Sequence, residues 1–372
     1  MSAPEKTVVV TGVAGNLGVR LLREIPEFEV FGLDLHPLGD ASAVPSPPSF
    51  HFQNIDLGEE PSSHELIELL RTSEAQSVVH LAFVIDPMRT GVLDVDRMWR
   101  INVAGTARVM EAIAVVNRNG GVIKKFIYVS SVAAYGSDLP GLVTEDHPLA
   151  GHTLPYAIHK READQVAQAR AKSMGACSTY ILRPHIFAGA CMRNYLINIL
   201  RGTPYGQGRL GRWMEQGGRK LPALIPYGRQ YLDTRFQYVH VDDMARLLGW
   251  ILRQRDAARA LTILNVAGRG EALTFERCAQ IAGTKVVRLP GKSCCRLALS
   301  LGWKLGLASV PAAAVPYFTG TYLMDTKRLR EFLGKDYEDV IRHTCEEALA
   351  DSFKHEPSTT VPQAVKASGA ET

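Results

Sequence analysis

The run Thr7-Val8-Val9-Val10-Thr11 leads straight into Gly12-Val13-Ala14-Gly15-Asn16-Leu17-Gly18, and apolar side chains then recur three and four residues apart. A short apolar strand, a loop with glycines at fixed offsets and an amphipathic helix form one unit that few folds accept. Gly12 suits the tight turn, Gly15 lets a phosphate approach the main chain, and Gly18 lets helix and strand pack closely. The first helical amides, at Asn16 and Leu17, then face the anion. The unit predicts a pyrophosphate site for a dinucleotide. An ordinary strand-to-helix turn is the plain alternative, and it is the order of strand, loop and helix that speaks against it.

The same rhythm continues through the first half of the chain. Apolar runs at Thr7–Thr11, Val30–Leu33, Val78–Leu81, Phe126–Ser130 and Thr179–Leu182 alternate with helical patterns at Leu17–Ile25, His64–Arg71, Met98–Asn117 and Tyr156–Lys172. Continuous apolar strands separated by helices predict an α/β fold, a doubly wound parallel sheet covered on both faces. Past Leu182 the pattern breaks into a Gly-, Arg-, Pro- and Tyr-rich stretch, Gly202 to Arg235, and a strand and helix resume at Tyr238–Leu252. Residues 1–182, completed by 236–266, are expected to form the dinucleotide domain. Residues 183–235 and 267–355 are expected to form a smaller C-terminal substrate lobe, and the Ser/Thr/Ala-rich residues 356–372 a disordered tail.

Composition excludes several alternatives. With 372 residues, 46% of them hydrophobic, the chain can bury a large core without staples. A net charge of +4 with no basic stripe argues against nucleic acid and leaves a small molecule as the expected partner. Six cysteines without a CxxC pair give no metal site and fit reduced thiols in a cytoplasmic protein. The N-terminus lacks the pattern of a signal peptide. Leu305 to Met324 carries no formal charge, but Gly306, Pro311, Pro316 and Gly320 suit a lipid-exposed helix poorly. It reads as a buried or substrate-covering part of the lobe, with membrane association the minority reading.

Asp34 closes Val30-Phe31-Gly32-Leu33-Asp34, at the distance expected for an acid that accepts hydrogen bonds from the adenosine ribose. A carboxylate there repels a 2′-phosphate, and no cation follows in Leu35-His36-Pro37-Leu38-Gly39, so NAD is expected rather than NADP. Asp56 is placed to meet the adenine amine. Tyr156 and Lys160 stand four apart on one helical face, and of twelve tyrosines this one alone has a lysine at that spacing. Ser131 lies at the end of the apolar run Phe126–Ser130, where open α/β sheets place ligands. A phenol becomes a useful base if its pKa falls by about three units, which takes roughly 4 kcal/mol, and one ammonium about 4 Å away supplies that much. The residues therefore predict proton removal from a secondary alcohol by Tyr156, with Lys160 in support and Ser131 orienting the hydroxyl. A packed tyrosine and a strand-end serine are the plain alternatives for each residue alone.

These positions, taken in order, resemble the extended short-chain dehydrogenase/reductase family, the NAD-dependent epimerase/dehydratase group. The resemblance spans about residues 6 to 250: Gly12, Gly15 and Gly18; Asp34; Asp56; His80-Leu81-Ala82; Asn102 in Ile101–Thr106; Ser131; Tyr156 with Lys160; Arg183-Pro184; and Tyr238–Asp243. It implies a Rossmann-type NAD domain with Ser131, Tyr156 and Lys160 as catalytic residues. Cofactor contacts are implied at Gly12, Gly15, Asn16, Leu17, Gly18, Asp34, Asp56, Leu81, Ala82, Asn102, Tyr156 and Lys160. Phe83, Ser131, Tyr156, Asn194 and Arg235 are then expected beside the substrate. A homodimer through the helices Met98–Asn117 and Tyr156–Lys172 is a family-level expectation.

The departures concern the substrate. Sugar-nucleotide members commonly carry an asparagine where this chain has Ile186, and their phosphate-binding arginine sits four residues before the late-strand histidine, whereas Arg235 lies five before His240. An epimerase or dehydratase acting on a sugar nucleotide is one reading. A dehydrogenase or reductase of a bulky apolar alcohol or ketone, resembling the hydroxysteroid dehydrogenases, is the alternative. A non-catalytic NAD-sensing protein is a third, against which the intact Ser131, Tyr156 and Lys160 argue.

Overall fold

The computed structural model describes residues 6–38, 49–85, 94–137, 139–202, 209–254, 261–308, 310–320 and 322–354. The expected tail at 356–372 lies outside the described residues. The main sheet is built from β1 (Lys6–Thr11), β2 (Phe28–Asp34), β3 (Phe50–Asn54), β4 (Ser77–His80), β5 (Lys125–Val129), β6 (Ser178–Pro184) and β7 (Leu261–Val266). Its seven strands run parallel in the order β7-β6-β5-β4-β1-β2-β3. The order reverses between β1 and β4, and the crevice at their carboxyl ends is where such sheets hold ligands.

Burial on both faces explains the unbroken apolar strands. Val8 and Val10 pack with α1 (Asn16–Glu24) and α5 (Val241–Arg253) on one side. Val9 and Phe126 pack on the other with α2 (Ser62–Thr72), α3 (Gly105–Arg118) and α4 (Pro155–Arg170). The expected single helix Met98–Asn117 carries a difference. A short helix, Val95–Trp99, passes into α3 through a π turn at Arg100–Ala104. That extra residue in the turn re-aims the side chains along it, and Asn102 is one of them.

In the expected lobe, Leu196, Ile197, Leu200, Ala223, Ile225, Phe275 and Cys278 are buried together, in a cluster that also takes in Val132, Tyr135 and Ala157. Within the lobe α6 (Phe275–Ala282) and α7 (Gly291–Lys304) flank a small parallel pairing of Ala223–Pro226 with Val286–Leu289. The stretch 202–235 is more regular than its composition suggests, with helices Arg209–Gln216 and Arg229–Leu232 on either side of that strand. Tyr238–His240 pairs with Ile186–Ala188 and stays outside the main sheet. The uncharged segment places Val310, Ala314, Val315, Tyr317, Tyr322 and Met324 in the interior. Among the described residues no helix is long and apolar enough to cross a membrane.

Candidate active site

The glycine loop is held by close contacts that only glycine permits at two positions. Gly12 has φ +72°, and a Cβ there would lie 2.5 Å from the Ala82 backbone nitrogen. A Cβ on Gly18 would lie 2.4 Å from the Val13 carbonyl oxygen. At Gly15 a Cβ would meet only the Gly12 oxygen, at 3.1 Å, so the loop is open on that side. Gly15 is also the N-cap of α1 and no side chain caps that helix, so the first-turn amides at Asn16, Leu17 and Gly18 are left facing the crevice. An open cradle ending in uncapped amides fits a pyrophosphate. Asn16 points its side chain elsewhere: its Oδ1 accepts from Arg20 at 2.8 Å, and Arg20 pairs with Asp242 at 2.6 Å.

Asp34 reaches back over this loop. One carboxylate oxygen accepts from Ala14 N at 3.0 Å and the other from Leu35 N at 2.7 Å, which leaves lone pairs for ribose hydroxyls. Asp56 accepts from Gly58 N at 2.8 Å and pairs with Arg97 at 3.1 Å. The floor beneath the loop is a chain of buried hydrogen bonds that the sequence did not suggest. Thr106 donates to Asn102 O at 2.7 Å, so its oxygen accepts from His80 Nε2 at 2.9 Å; the other ring nitrogen then accepts from Thr11 at 2.7 Å. This order fixes the neutral tautomer of His80. Burial, with Lys160 adding repulsion, lowers the His80 pKa to about 3. Leu81 N and Ala82 N both bond to Thr11, which places these two expected contacts directly under Gly12.

Asn102 clamps the strand that follows. Its Oδ1 accepts from Val84 N at 2.7 Å and its Nδ2 donates to Val84 O at 3.0 Å. The side chain thus acts on the site by fixing the 81–84 backbone, with Phe83 in the middle of it. Phe83 meets the Tyr156 ring edge-on at 5.8 Å and lies 3.5 Å under the Lys160 ammonium.

Ser131, Tyr156 and Lys160 come together at the carboxyl end of β5. Ser131 begins a short 3-10 turn, Val132–Tyr135, and its oxygen accepts from Ala133 N at 3.1 Å. Tyr156 enters α4 directly after Pro155, whose fixed φ suits a helix start. The part-buried phenol is raised to about 12 by desolvation, which a hydrogen bond with Ser131 partly offsets. Lys160, one turn on, is buried and donates to Val129 O at 2.7 Å. Desolvation lowers its ammonium to about 7, while Asp164 pulls it back up. The nitrogen lies 5.9 Å from the Tyr156 ring centre, held by the Val129 carbonyl and the Phe83 ring.

Behind Lys160 stands a buried network of which only Arg183-Pro184 was marked in the sequence. Asp164, one further turn along α4, takes a bidentate pair from Arg183 at 2.9 Å and 2.9 Å, a bond from Ser130 at 2.6 Å and one from Gln168 at 2.7 Å. Arg183 also donates to Tyr135, whose hydroxyl donates on to Asn265, each at 2.7 Å. Tyr135 is thereby a structural tyrosine. The i, i+4, i+8 order Tyr156, Lys160, Asp164 was a visible signal that Asp164 shares their face.

The lobe residues have other partners. Asn194 caps helix Tyr195–Arg201 through Ile197 N at 3.0 Å and donates to Phe187 O at 2.7 Å. Arg235 is exposed on a two-residue strand paired with Leu273–Thr274. His185 bonds to Tyr322 O at 2.5 Å and, through its other nitrogen, accepts from Ile186 N at 2.9 Å. Burial holds it neutral with a pKa lowered to about 4, which fits a packed strand-end histidine. Burial, with Tyr317 and Tyr156 adding to it, raises the cost of ionising the Tyr322 phenol.

Comparison with known proteins bears on the family and the fold. A profile of the NAD-dependent epimerase/dehydratase family matches residues 8–267. The dTDP-glucose 4,6-dehydratase of Streptomyces griseus is 27% identical over 70% of this chain and 73% of its own. A UDP-glucose 4-epimerase of rice (Oryza sativa subsp. japonica) is 26% identical over 64% of this chain and 66% of its own. The crystal structure of Thermus thermophilus UDP-glucose 4-epimerase in complex with NAD superposes with a TM-score of 0.64 at 18% identity, covering 94% of this chain and 98% of that one. At that identity the likeness is one of fold.

Proposed function

The chain belongs to the NAD-dependent epimerase/dehydratase family and is an NAD-dependent enzyme of Rossmann type, and from that premise we propose that Ser131, Tyr156 and Lys160 carry proton transfer at a secondary alcohol of a sugar nucleotide. The observation that carries this reading is the placement of Ser131 at the carboxyl end of β5 with Tyr156 and Lys160 one turn apart on α4, two strands from the one that leads into the glycine loop.

NAD, when bound, supplies the hydride acceptor for the carbon bearing that hydroxyl. Gly12, Gly15 and Gly18 with the amides of α1 hold its pyrophosphate, and Asp34 accepts from its ribose. Ser131 orients the substrate hydroxyl toward the Tyr156 oxygen. With its pKa near 12, ionising Tyr156 in advance at pH 7 would cost roughly 7 kcal/mol. A Lys160 cation one turn along α4 returns part of that, and with its own pKa near 7 about half the molecules carry it at pH 7. The remaining cost confines the phenolate to a minor form, its proton lost to solvent, and it is this form that takes the proton of the substrate hydroxyl. Phe83 lies edge-on against the phenol ring.

A second reading, a bulky apolar alcohol or ketone, is supported by one observation in the lobe. The amide atoms of Asn194 are both engaged within the chain, and Ile186 packs against the apolar core where sugar-nucleotide enzymes commonly carry an asparagine. Heating the purified protein and assaying the supernatant for NAD separates the two. Near-stoichiometric NAD, with conversion of a UDP- or dTDP-sugar and no net reduction, is the expected result. An empty protein that reduces added NAD⁺ with fused-ring secondary alcohols would replace the first reading by the second.

A further inference from the structure

Helix α7 is placed against the lobe but scarcely buried in it. Of its fourteen residues, Gly291–Lys304, Cys295 is the one fully buried. Leu297 is 72% exposed, Leu301 56% and Leu305, at the helix end, 50%. Leucines at i, i+4 and i+8 form a single stripe along the outer face, and Cys294 lies on the same side and is exposed. Lys304 borders the stripe and is exposed, as is Arg296 farther round the helix. The preceding strand adds the exposed Val287, and Tyr227, which follows the paired strand, is 71% exposed.

Along the chain, the charge of this segment has one sign. From Lys285 to Met324 the chain carries Lys285, Arg288, Lys292, Arg296 and Lys304 and no acidic residue. Glu276, which lines the neighbouring groove with Arg288, is paired to Arg229 at 2.8 Å. An apolar stripe bordered by cations and free of carboxylates matches the boundary between acyl chains and anionic headgroups. It matches a second copy of the same face poorly, since a two-fold contact would set these cations against themselves.

We propose that α7 docks the enzyme on the surface of an anionic lipid bilayer, with Leu297, Leu301 and Leu305 seated among the acyl chains and Arg296 and Lys304 at the headgroups. The contact is peripheral, made by one face of one helix. It is independent of which substrate the active site takes. The lobe's interior, including the buried part of 305–324, stays intact when α7 lies on lipid.

The test is co-sedimentation of the full chain with vesicles of phosphatidylcholine alone and with about one third phosphatidylglycerol added. Binding is expected on the anionic vesicles, falling as salt rises from about 0.05 to about 0.5 M, and weak on the neutral ones. The double variant Leu297→Gln/Leu301→Gln should bind at least about tenfold more weakly while its melting temperature stays at the wild-type value. A chain that remains in the supernatant with both vesicles, or a double variant that sediments like wild type, overturns the proposal. So does a dimer seen by light scattering that the double substitution dissolves, which would assign the face to a second copy.

Discussion

Asp164 and Leu297 sit at opposite extremes of this molecule. Asp164 is fully buried, and its carboxylate takes bonds from Ser130, Gln168 and both branches of Arg183. Leu297 is an apolar side chain left 72% in water on a helix with three basic residues and no acid. In the first region polar groups are buried and satisfied so that one lysine and one tyrosine keep their places. In the second apolar groups are displayed. The difference teaches that the half proposed to hold the chemistry is over-determined, while α7 presents a surface that folding alone does not use.

Removing one partner of the buried network gives the largest stability effect expected here. Asp164→Ala leaves the Arg183 guanidinium buried and unpaired, and should cost about 3–5 kcal/mol in urea unfolding. A loss below about 1 kcal/mol would mean that water reaches the network and that the contrast with the lobe is shallower than described.

Acid tests the same half through His80. Its folded pKa near 3 lies below the unfolded value near 6.5, so between those values the unfolded chain binds the extra proton. The contribution is complete above about pH 6.5 and is lost as pH falls toward 3. Between pH 7 and pH 5 His80 should therefore remove about 2 kcal/mol of stability. His80→Gln, less stable than wild type at pH 7 through its altered hydrogen bonds, should show a flatter decline over that range in thermal melts. Parallel declines would place the acid sensitivity elsewhere, with His185 the next candidate.

At the small end, Leu297→Gln should change unfolding free energy by less than about 0.5 kcal/mol, because the side chain has little packing to lose. A loss near 2 kcal/mol would show that α7 is core and would erase the contrast.

The same contrast governs what could be read from the chain. Gly12, Gly15 and Gly18 are legible because turn, cradle and helix packing lie within seven residues. Tyr156 and Lys160 are legible because one helical turn fixes their relation. The doubly wound sheet follows from apolar runs buried on both faces. The bond of Lys160 to Val129 spans 31 positions and that of Tyr135 to Asn265 spans 130, and no local pattern announces either. For that reason neither the carbonyl that holds the Lys160 ammonium nor the grip of Asn102 on Val84 could be read from the chain. In the lobe the 297, 301, 305 spacing was present, but amphipathic spacing alone does not say which face meets water.

The central claim is that Tyr156 transfers the proton, and the most direct measurement is turnover by Tyr156→Phe at wild-type NAD content. Loss of the hydroxyl should lower kcat by about 10²–10⁴-fold, while NAD released on denaturation and the melting temperature remain as in wild type. A variant that turns over within about twofold of wild type would contradict the assignment and send the search for the proton-transferring group elsewhere in the site.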